Sequence, residues 1–152
     1  LLVEAAGSRG MCGGQQLDMD AGGRTLSLTE LQNVHALKTG ALIKASVQLA
    51  AAVAGASENE SSALAAFADD LGLAFQIQDD ILDIESSSEQ LGKSAGKDAA
   101  QEKSTYPALL GMDASKALLA ELATRMQAHL AGFDGDADAL RTLAAFAIQR
   151  KN

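Results

Sequence analysis

The chain has 152 residues and a formal net charge of −8 at pH 7, and its residues are 47% hydrophobic but only 3% aromatic. Because an acidic chain without clusters of Lys and Arg lacks the surface that tracks phosphate backbones, we exclude nucleic acid as a partner. Its single cysteine, Cys12, cannot form an intrachain disulfide, and no apolar run approaches the length of a membrane span, so we expect a soluble, cytoplasmic protein.

The predicted elements are helices throughout, since the chain combines one Pro with many Ala and Leu residues. Near the N-terminus, Asp18 and Asp20 lie in a segment that we interpret as a turn. A capping box that begins at Ser27 predicts a helix running to about Ala54. Gly40 lies within this helix at a cost of about 1 kcal/mol relative to Ala, which favours a kink there.

A second long helix is predicted from Ser57 to about Glu85, and two helices of this length indicate a large bundle. The serines at 86–88 are expected to end it. The segment from Leu91 to Gln101 contains two glycines and charges of both signs, which predicts a mobile loop. Pro107 favours the start of a short helix. Two amphipathic helices complete the prediction, over residues 114–130 and 137–149.

The second long helix carries three carboxylates, Asp79, Asp80 and Asp83, at positions i, i+1 and i+4. Residues four apart share a helix face, so Asp79 and Asp83 lie one turn apart and their like charges repel. A divalent cation that prefers oxygen ligands would relieve this repulsion. Mg²⁺ usually takes one or two carboxylates together with waters and substrate phosphates, so the spacing predicts a magnesium and diphosphate site.

An acidic triplet can equally be a solvated helix face, and spacing alone leaves the two interpretations about equal. The neighbouring residues favour the metal site, because apolar side chains surround the carboxylates and indicate a helix inside a bundle. These neighbours are Leu71, Leu73, Ala74, Phe75, Ile77, Ile81, Leu82 and Ile84.

Five short motifs follow one another along the chain. They are Gly10 to Gln15, Lys38-Thr39-Gly40, Gly72 to Asp83, Leu91-Gly92-Lys93 and Lys103 to Pro107. Any one motif alone is weak, but their order and spacing are hard to obtain by chance. Together they resemble the motifs of the trans-isoprenyl diphosphate synthases, in particular the bacterial farnesyl and geranyl diphosphate synthases, and the acidic segment is similar to that family's second aspartate-rich motif.

The resemblance implies an all-α helical bundle of the isoprenoid synthase type, with residues 1–152 as the C-terminal half of a single domain. The family's first aspartate-rich motif, the arginine pair after it and an earlier Gly-Lys-x-x-Arg segment have no counterpart in this chain. We therefore expect that the N-terminal half is absent and that this chain is inactive alone. Product chain length, which the family sets near its first acidic motif, stays open.

The resemblance also implies Mg²⁺ as cofactor, held by Asp79, Asp80 and Asp83, and an allylic diphosphate and isopentenyl diphosphate as substrates. In the implied reaction the allylic diphosphate ionises, the double bond of isopentenyl diphosphate attacks the resulting cation, and the leaving diphosphate removes a proton. A homodimer is a further expectation from the family.

Lys38 and Thr39 are implied to contact the allylic diphosphate and to act in catalysis with Asp79, although spacing alone favours a surface lysine beside a packing glycine. Four further residues are implied to bind substrate, and without the resemblance each would be a solvated or locally satisfied side chain. These four are Gln15, Gln76, Lys93 and Lys103.

Two other classes of protein stay open. A non-catalytic regulatory subunit with a synthase-like fold is disfavoured by the retained Asp79 and Lys38. A class I terpenoid cyclase would use a similar acidic motif, but such an enzyme is expected to have many aromatic side chains that stabilise cations. The low aromatic content of this chain disfavours that class. His35 and His129 have no second ligand at i+4, so we predict surface or packing positions for both.

Overall fold

A computed structural model describes residues 1–90 and 104–150, and the regular elements in this part of the chain are helices. The prediction of an all-α bundle is confirmed. In chain order the elements are α1 (Leu2–Ala6), α2 (Met11–Asp20), α3 (Leu28–His35), a π-helical turn (Ala36–Gly40), α4 (Ala41–Ala54), α5 (Glu58–Gln90), α6 (Tyr106–Leu110), α7 (Met112–His129), a 3-10 turn (Gly135–Ala137) and α8 (Asp138–Gln149).

Helix α5 is at the centre of the bundle and packs against α4, α7 and α8. Its residues Phe67, Ala74 and Ile77 have no exposed surface, and Leu122 and Met126 of α7 are equally buried. A helix that is apolar on several faces is expected where neighbours surround it. The acidic segment therefore lies on a helix that the bundle encloses.

Capping boxes begin both long helical segments, as the sequence predicts. The Ser27 side chain accepts a hydrogen bond from the Glu30 amide, and the Glu30 carboxylate accepts one from the Ser27 amide at 2.8 Å. Ser57 and Glu60 repeat this arrangement. The hydrogen bonds from Ser27, together with one from Arg24, lower the pKa of Glu30 to about 2.

The end of α5 differs from the prediction. The helix runs to Gln90 rather than ending near Glu85, so the expectation that the serines at 86–88 stop it is wrong. Serine is only a moderately poor helix former, and no Gly or Pro interrupts this stretch, so a helix that is already formed can continue through it. The predicted loop from Leu91 to Gln101 lies outside the described residues.

The prediction of a turn around Asp18 and Asp20 is also wrong, because both residues belong to α2. Gly13 and Gly14 make the segment a poor helix by intrinsic propensity. Tertiary contact overrides that propensity, since α2 packs closely against the π-helical turn.

The three predicted helices after residue 104 are confirmed within a few residues. Thr105 caps α6 by accepting a hydrogen bond from the Ala108 amide at 3.2 Å, and Pro107 lies in the first turn, where its missing N–H costs nothing. Helices α7 and α8 cover most of the two predicted amphipathic ranges.

One continuous helical stretch, Leu28–Ala54, is 27 residues long and apolar enough to cross a membrane by length and composition alone. The core helix of a soluble protein and a signal sequence both pass the same test, and 11% of the most apolar window in this stretch is buried. This stretch includes the π-helical turn and packs against α2 and α5. The expectation that the chain has no membrane span stays a prediction.

Candidate functional site

The π-helical turn Ala36–Gly40 carries two of the predicted site residues, Lys38 and Thr39. A π-helical turn widens the helix locally and is frequent at functional sites. The irregularity that the sequence predicts near Gly40 is a π-helical turn in the structure, and a bend of the helix axis there stays a prediction. The π-helical turn moves these side chains out of the regular α-helical positions.

Two glycines allow neighbouring helices to approach the backbone of this turn. A Cβ atom on Gly14 of α2 would lie 2.2 Å from the Lys38 amide nitrogen. A Cβ atom on Gly72 of α5 would lie 3.0 Å from the Gly40 Cα. Only glycine permits the contact at Gly14, and a Cβ atom on Gly72 would be closer than most real Cβ contacts, so backbone packing holds the π-helical turn between α2 and α5.

Lys38 reaches from the turn to α2, where its ammonium nitrogen lies 2.6 Å from the Asp18 Oδ2. About two thirds of each side chain is buried, with exposed fractions of 35% and 30%. The sequence prediction assigned no function to Asp18. Asp18 ends a Gly-Gln-x-Leu-Asp segment that begins at Gly14, which was the available signal, but interpretation of the segment as a turn hid its contact with a lysine 20 residues later in the chain.

Thr39 and Gln76, both implied to contact a diphosphate, are in direct contact with each other. The Thr39 hydroxyl donates a hydrogen bond to the Gln76 Oε1 at 2.8 Å. This bond leaves the two N–H donors of the Gln76 amide available for another acceptor. The contact joins the π-helical turn to α5 one turn before Asp79.

The three carboxylates of the acidic segment fall into two environments. Asp79 is partly exposed and Asp83 is exposed, and the two share a helix face at i, i+4. Asp80 is only 6% exposed, and its Oδ2 accepts a hydrogen bond from the Tyr106 amide at 2.9 Å. Asp80 therefore fixes the start of α6 against α5, and its assignment as a metal ligand stays a prediction.

Tyr106, beside Asp80, is fully buried. Burial, with the negative charge of Asp80 as a second cause, raises the pKa of the Tyr106 phenol above its ordinary value. The ring packs against His35 with centroids 5.6 Å apart. Burial and the Asp80 charge therefore both favour the neutral form of this phenol.

Asp79 forms an ion pair with Arg150, a residue that the sequence prediction missed. The Arg150 guanidinium also stacks over the Phe75 ring at 4.0 Å from its centroid and donates to the Phe75 carbonyl. The Gln78 amide donates to the Arg150 carbonyl at 3.0 Å. Arg150 follows the last amphipathic helix without a motif around it, so periodicity alone could not connect it to Asp79.

The donor set fits a divalent cation such as Mg²⁺. Asp79 and Asp83 offer two carboxylates on one accessible face, which matches the one or two that Mg²⁺ takes when waters and phosphates complete its coordination. The Arg150 guanidinium against Asp79 shows that positive charge is favourable at this place. Among residues 1–90 and 104–150, no group of three or more His, Cys, Asp or Glu side chains is close enough to hold a metal without such added ligands.

Of the three remaining predicted site residues, the described part of the chain includes only Gln15. Gln15 is exposed on α2. Lys93 and Lys103 lie outside the described residues, so their assignments stay predictions. His129 contacts the buried Asp70 at 3.1 Å and therefore occupies a packing position, as predicted for a histidine without a second ligand.

The chain is similar in sequence and in fold to known proteins. The profile of a family described as "Polyprenyl synthetase" matches residues 3–144. The chain is 44% identical to the farnesyl diphosphate synthases of Geobacillus stearothermophilus and Escherichia coli K12, over 98% of its own length and 50% and 51% of theirs. A solved structure of an FPP/GFPP synthase from Zymomonas mobilis is 32% identical, with a TM-score of 0.83 over 96% of this chain and 48% of that one. The chain therefore spans about half the length of the relatives it matches.

Proposed function

The chain belongs to the polyprenyl synthetase family, and from this premise we propose that it is part of a prenyltransferase that condenses an allylic diphosphate with isopentenyl diphosphate. The observation that supports this most directly is the convergence of two motifs that are far apart in sequence. The Thr39 hydroxyl on the π-helical turn bonds to Gln76, one turn before the acidic pair on α5. Lysine, hydroxyl, amide and carboxylate groups are thus on two helical segments in contact.

Mg²⁺ is the cofactor we propose, with Asp79 and Asp83 as its ligands and Asp80 as a third ligand or a support. When bound, it would neutralise the negative charge that develops on the diphosphate as the carbon–oxygen bond breaks. Arg150 already balances the charge of Asp79 in this structure. It would have to share or release that carboxylate when the metal binds.

The chain's own residues would bind and orient the leaving group. Lys38 supplies a positive charge, Thr39 a hydroxyl and Gln76 two amide donors, and Lys93 and Lys103 are proposed to add two more charges. Such donors act by electrostatic stabilisation of the leaving oxygens, so the reaction needs no nucleophilic side chain. The double bond of isopentenyl diphosphate attacks the allylic cation, and the diphosphate then accepts the proton that is lost.

We further propose that these 152 residues do not catalyse the reaction alone. They provide one acidic segment, whereas the proposed chemistry needs a second set of acids and a basic site for isopentenyl diphosphate. Those groups would come from residues outside this sequence, and the complete enzyme would be a cytoplasmic homodimer.

The test is turnover by the complete protein that contains these residues. Asp79→Asn should lower kcat by orders of magnitude at saturating Mg²⁺, because the main metal ligand is lost while side-chain size is kept. Asp69→Asn, an exposed acid on the same helix, is the matched control and should stay within about twofold of wild type. Near-normal turnover by Asp79→Asn would contradict the proposal.

A further inference from the structure

We propose that Asp18 is a positioning residue for Lys38, holding its ammonium group in place before a diphosphate arrives. The inference rests on the proposed function, since Lys38 is assigned to the diphosphate there. It adds to that function a residue on another helix that acts on the ligand only through Lys38.

The first observation is the ion pair itself. The Lys38 nitrogen and the Asp18 Oδ2 are 2.6 Å apart, and both side chains are about two thirds buried. A charge-assisted hydrogen bond at this distance is stronger than a neutral one, and partial burial protects it from screening by salt. A free lysine side chain moves about the rotatable bonds of its four-carbon stem. An ammonium group that Asp18 already holds therefore loses much less conformational freedom on ligand binding than a free one does.

The second observation is that one face of α2 contacts Lys38 twice. Gly14 and Asp18 are four residues apart and therefore share a helix face. Gly14 allows the backbone of α2 to contact the Lys38 backbone, and Asp18 binds the ammonium group at the end of the Lys38 side chain. Both ends of Lys38 are thus fixed by α2, which is the arrangement that a preorganised binding group requires.

A second Lys–Asp pair in the chain lacks this support. Lys44 on α4 lies 2.7 Å from Asp69 on α5, and Lys44 is about as exposed as Lys38, at 37%. The two pairs differ in the aspartate, because Asp69 is 56% exposed whereas Asp18 is 30% exposed. An ion pair with one partner this exposed contributes little. The pair is therefore a control with the same chemistry and less constraint.

Two effects of removing Asp18 have opposite signs, which makes the test decisive. If Asp18 positions Lys38, its loss weakens diphosphate binding. If Asp18 only neutralises Lys38 and competes with the ligand, its loss leaves more net positive charge and strengthens binding.

The experiment measures binding of inorganic diphosphate with Mg²⁺ to the complete protein by calorimetry. The variants are Asp18→Ala, Lys38→Ala and the double variant, which together form a double-mutant cycle. We expect Asp18→Ala to weaken binding by about tenfold in the wild-type background and by less than about twofold in the Lys38→Ala background. Asp18→Glu should recover part of the affinity.

Three controls separate positioning from other effects. Asp20→Ala removes the same charge from an exposed position on the same helix, and Asp69→Ala breaks the other Lys–Asp pair; both should change affinity by less than about twofold. A circular dichroism melt of each variant identifies loss of folding, and Asp18→Asn replaces Asp18→Ala in the cycle if the latter does not fold.

Unchanged or tighter binding by Asp18→Ala, or an equal loss in both backgrounds, would overturn the inference. If Lys38→Ala itself leaves diphosphate binding unchanged, the assignment of Lys38 in the proposed function fails as well. If Lys38→Ala weakens binding and Asp18→Ala does not, only the positioning inference fails.

Discussion

Single residues decide the chemistry of the acidic segment, and their environments differ more than their spacing indicates. The i, i+4 relation of Asp79 and Asp83 follows from helix geometry alone, so it could be predicted. The burial of Asp80 could not, because it depends on the Tyr106 amide, a backbone group 26 residues away. Arg150 was missed for the same reason, since its partner is 71 residues distant.

Arg150 should contribute measurably to stability. The Arg150 side chain is only 15% exposed. Its ion pair with Asp79 is therefore intermediate between exposed pairs, which contribute at most about 1 kcal/mol, and buried pairs, whose disruption costs about 3–5 kcal/mol. We expect Arg150→Met to lower the free energy of unfolding by about 1–2 kcal/mol in metal-free complete protein, measured by urea denaturation. Lys116→Met breaks an exposed pair with Glu85 and should change it by less than about 0.5 kcal/mol. Equal changes in the free energy of unfolding for the two variants would contradict a stabilising role of Arg150.

At the scale of elements, the starts of the two long helical segments were predictable, whereas helix α2 and the end of α5 were not. The capping boxes at Ser27 and Ser57 are local patterns in which a side chain and a backbone amide three residues apart satisfy each other. The end of α5 lacks such a signal, since serine is only a moderately poor helix former and does not favour helix C-termini as Gly does. The π-helical turn needs Gly14 and Gly72 from two other elements, so the sequence indicated a kink at Gly40 but not its type.

The capping box at Ser27 predicts a titration. The pKa of Glu30 is lowered to about 2 because Ser27 and Arg24 donate hydrogen bonds to the ionised form. Stabilisation from this depressed pKa is fully present above the ordinary glutamate pKa of 4.5 and is lost as the pH falls through about 2. Carboxyl carbon NMR should give a midpoint near 2 for Glu30, and Ser27→Ala should move it upward toward 4.5. An ordinary midpoint in the wild type would refute the cap.

The glycine contacts predict a strong effect of a small substitution. Gly14→Ala would place its Cβ 2.2 Å from backbone atoms of Lys38, so α2 or the π-helical turn must shift. Overpacking of this kind typically costs about 1–3 kcal/mol, and we expect Gly14→Ala to fall at the upper end because the clash is with backbone. Gly132→Ala is the control, since a Cβ there meets nothing within 4 Å. Thermal melts of the two variants in the complete protein should differ clearly, and similar melts would show that α2 does not constrain the turn.

At the scale of the whole molecule, the described helices leave apolar surface uncovered. One groove of about 570 Å³ lies between α4 and the segment around Phe133, and a second of about 350 Å³ lies between α4, α5 and α8. Val53 is 90% exposed and Phe146 is 67% exposed. The bundle could be predicted from helix length and the apolar pattern. The open faces could not, because their exposure depends on which other segments pack against them, and the hydrophobic periodicity of this sequence does not identify those segments.

The last prediction concerns the 152-residue chain produced alone. Its open grooves and exposed apolar side chains favour self-association over a stable monomer, since soluble monomers rarely expose apolar patches beyond a few hundred Å². Light scattering after size exclusion should therefore show oligomers or aggregates, and an assay with dimethylallyl and isopentenyl diphosphates should show no turnover. Leu143→Ser together with Phe146→Ser, which make one groove polar, should reduce association without restoring turnover. A monodisperse monomer with a cooperative thermal transition and real turnover would prove that one acidic segment and these helices are sufficient, and the proposal of an incomplete site would then be wrong.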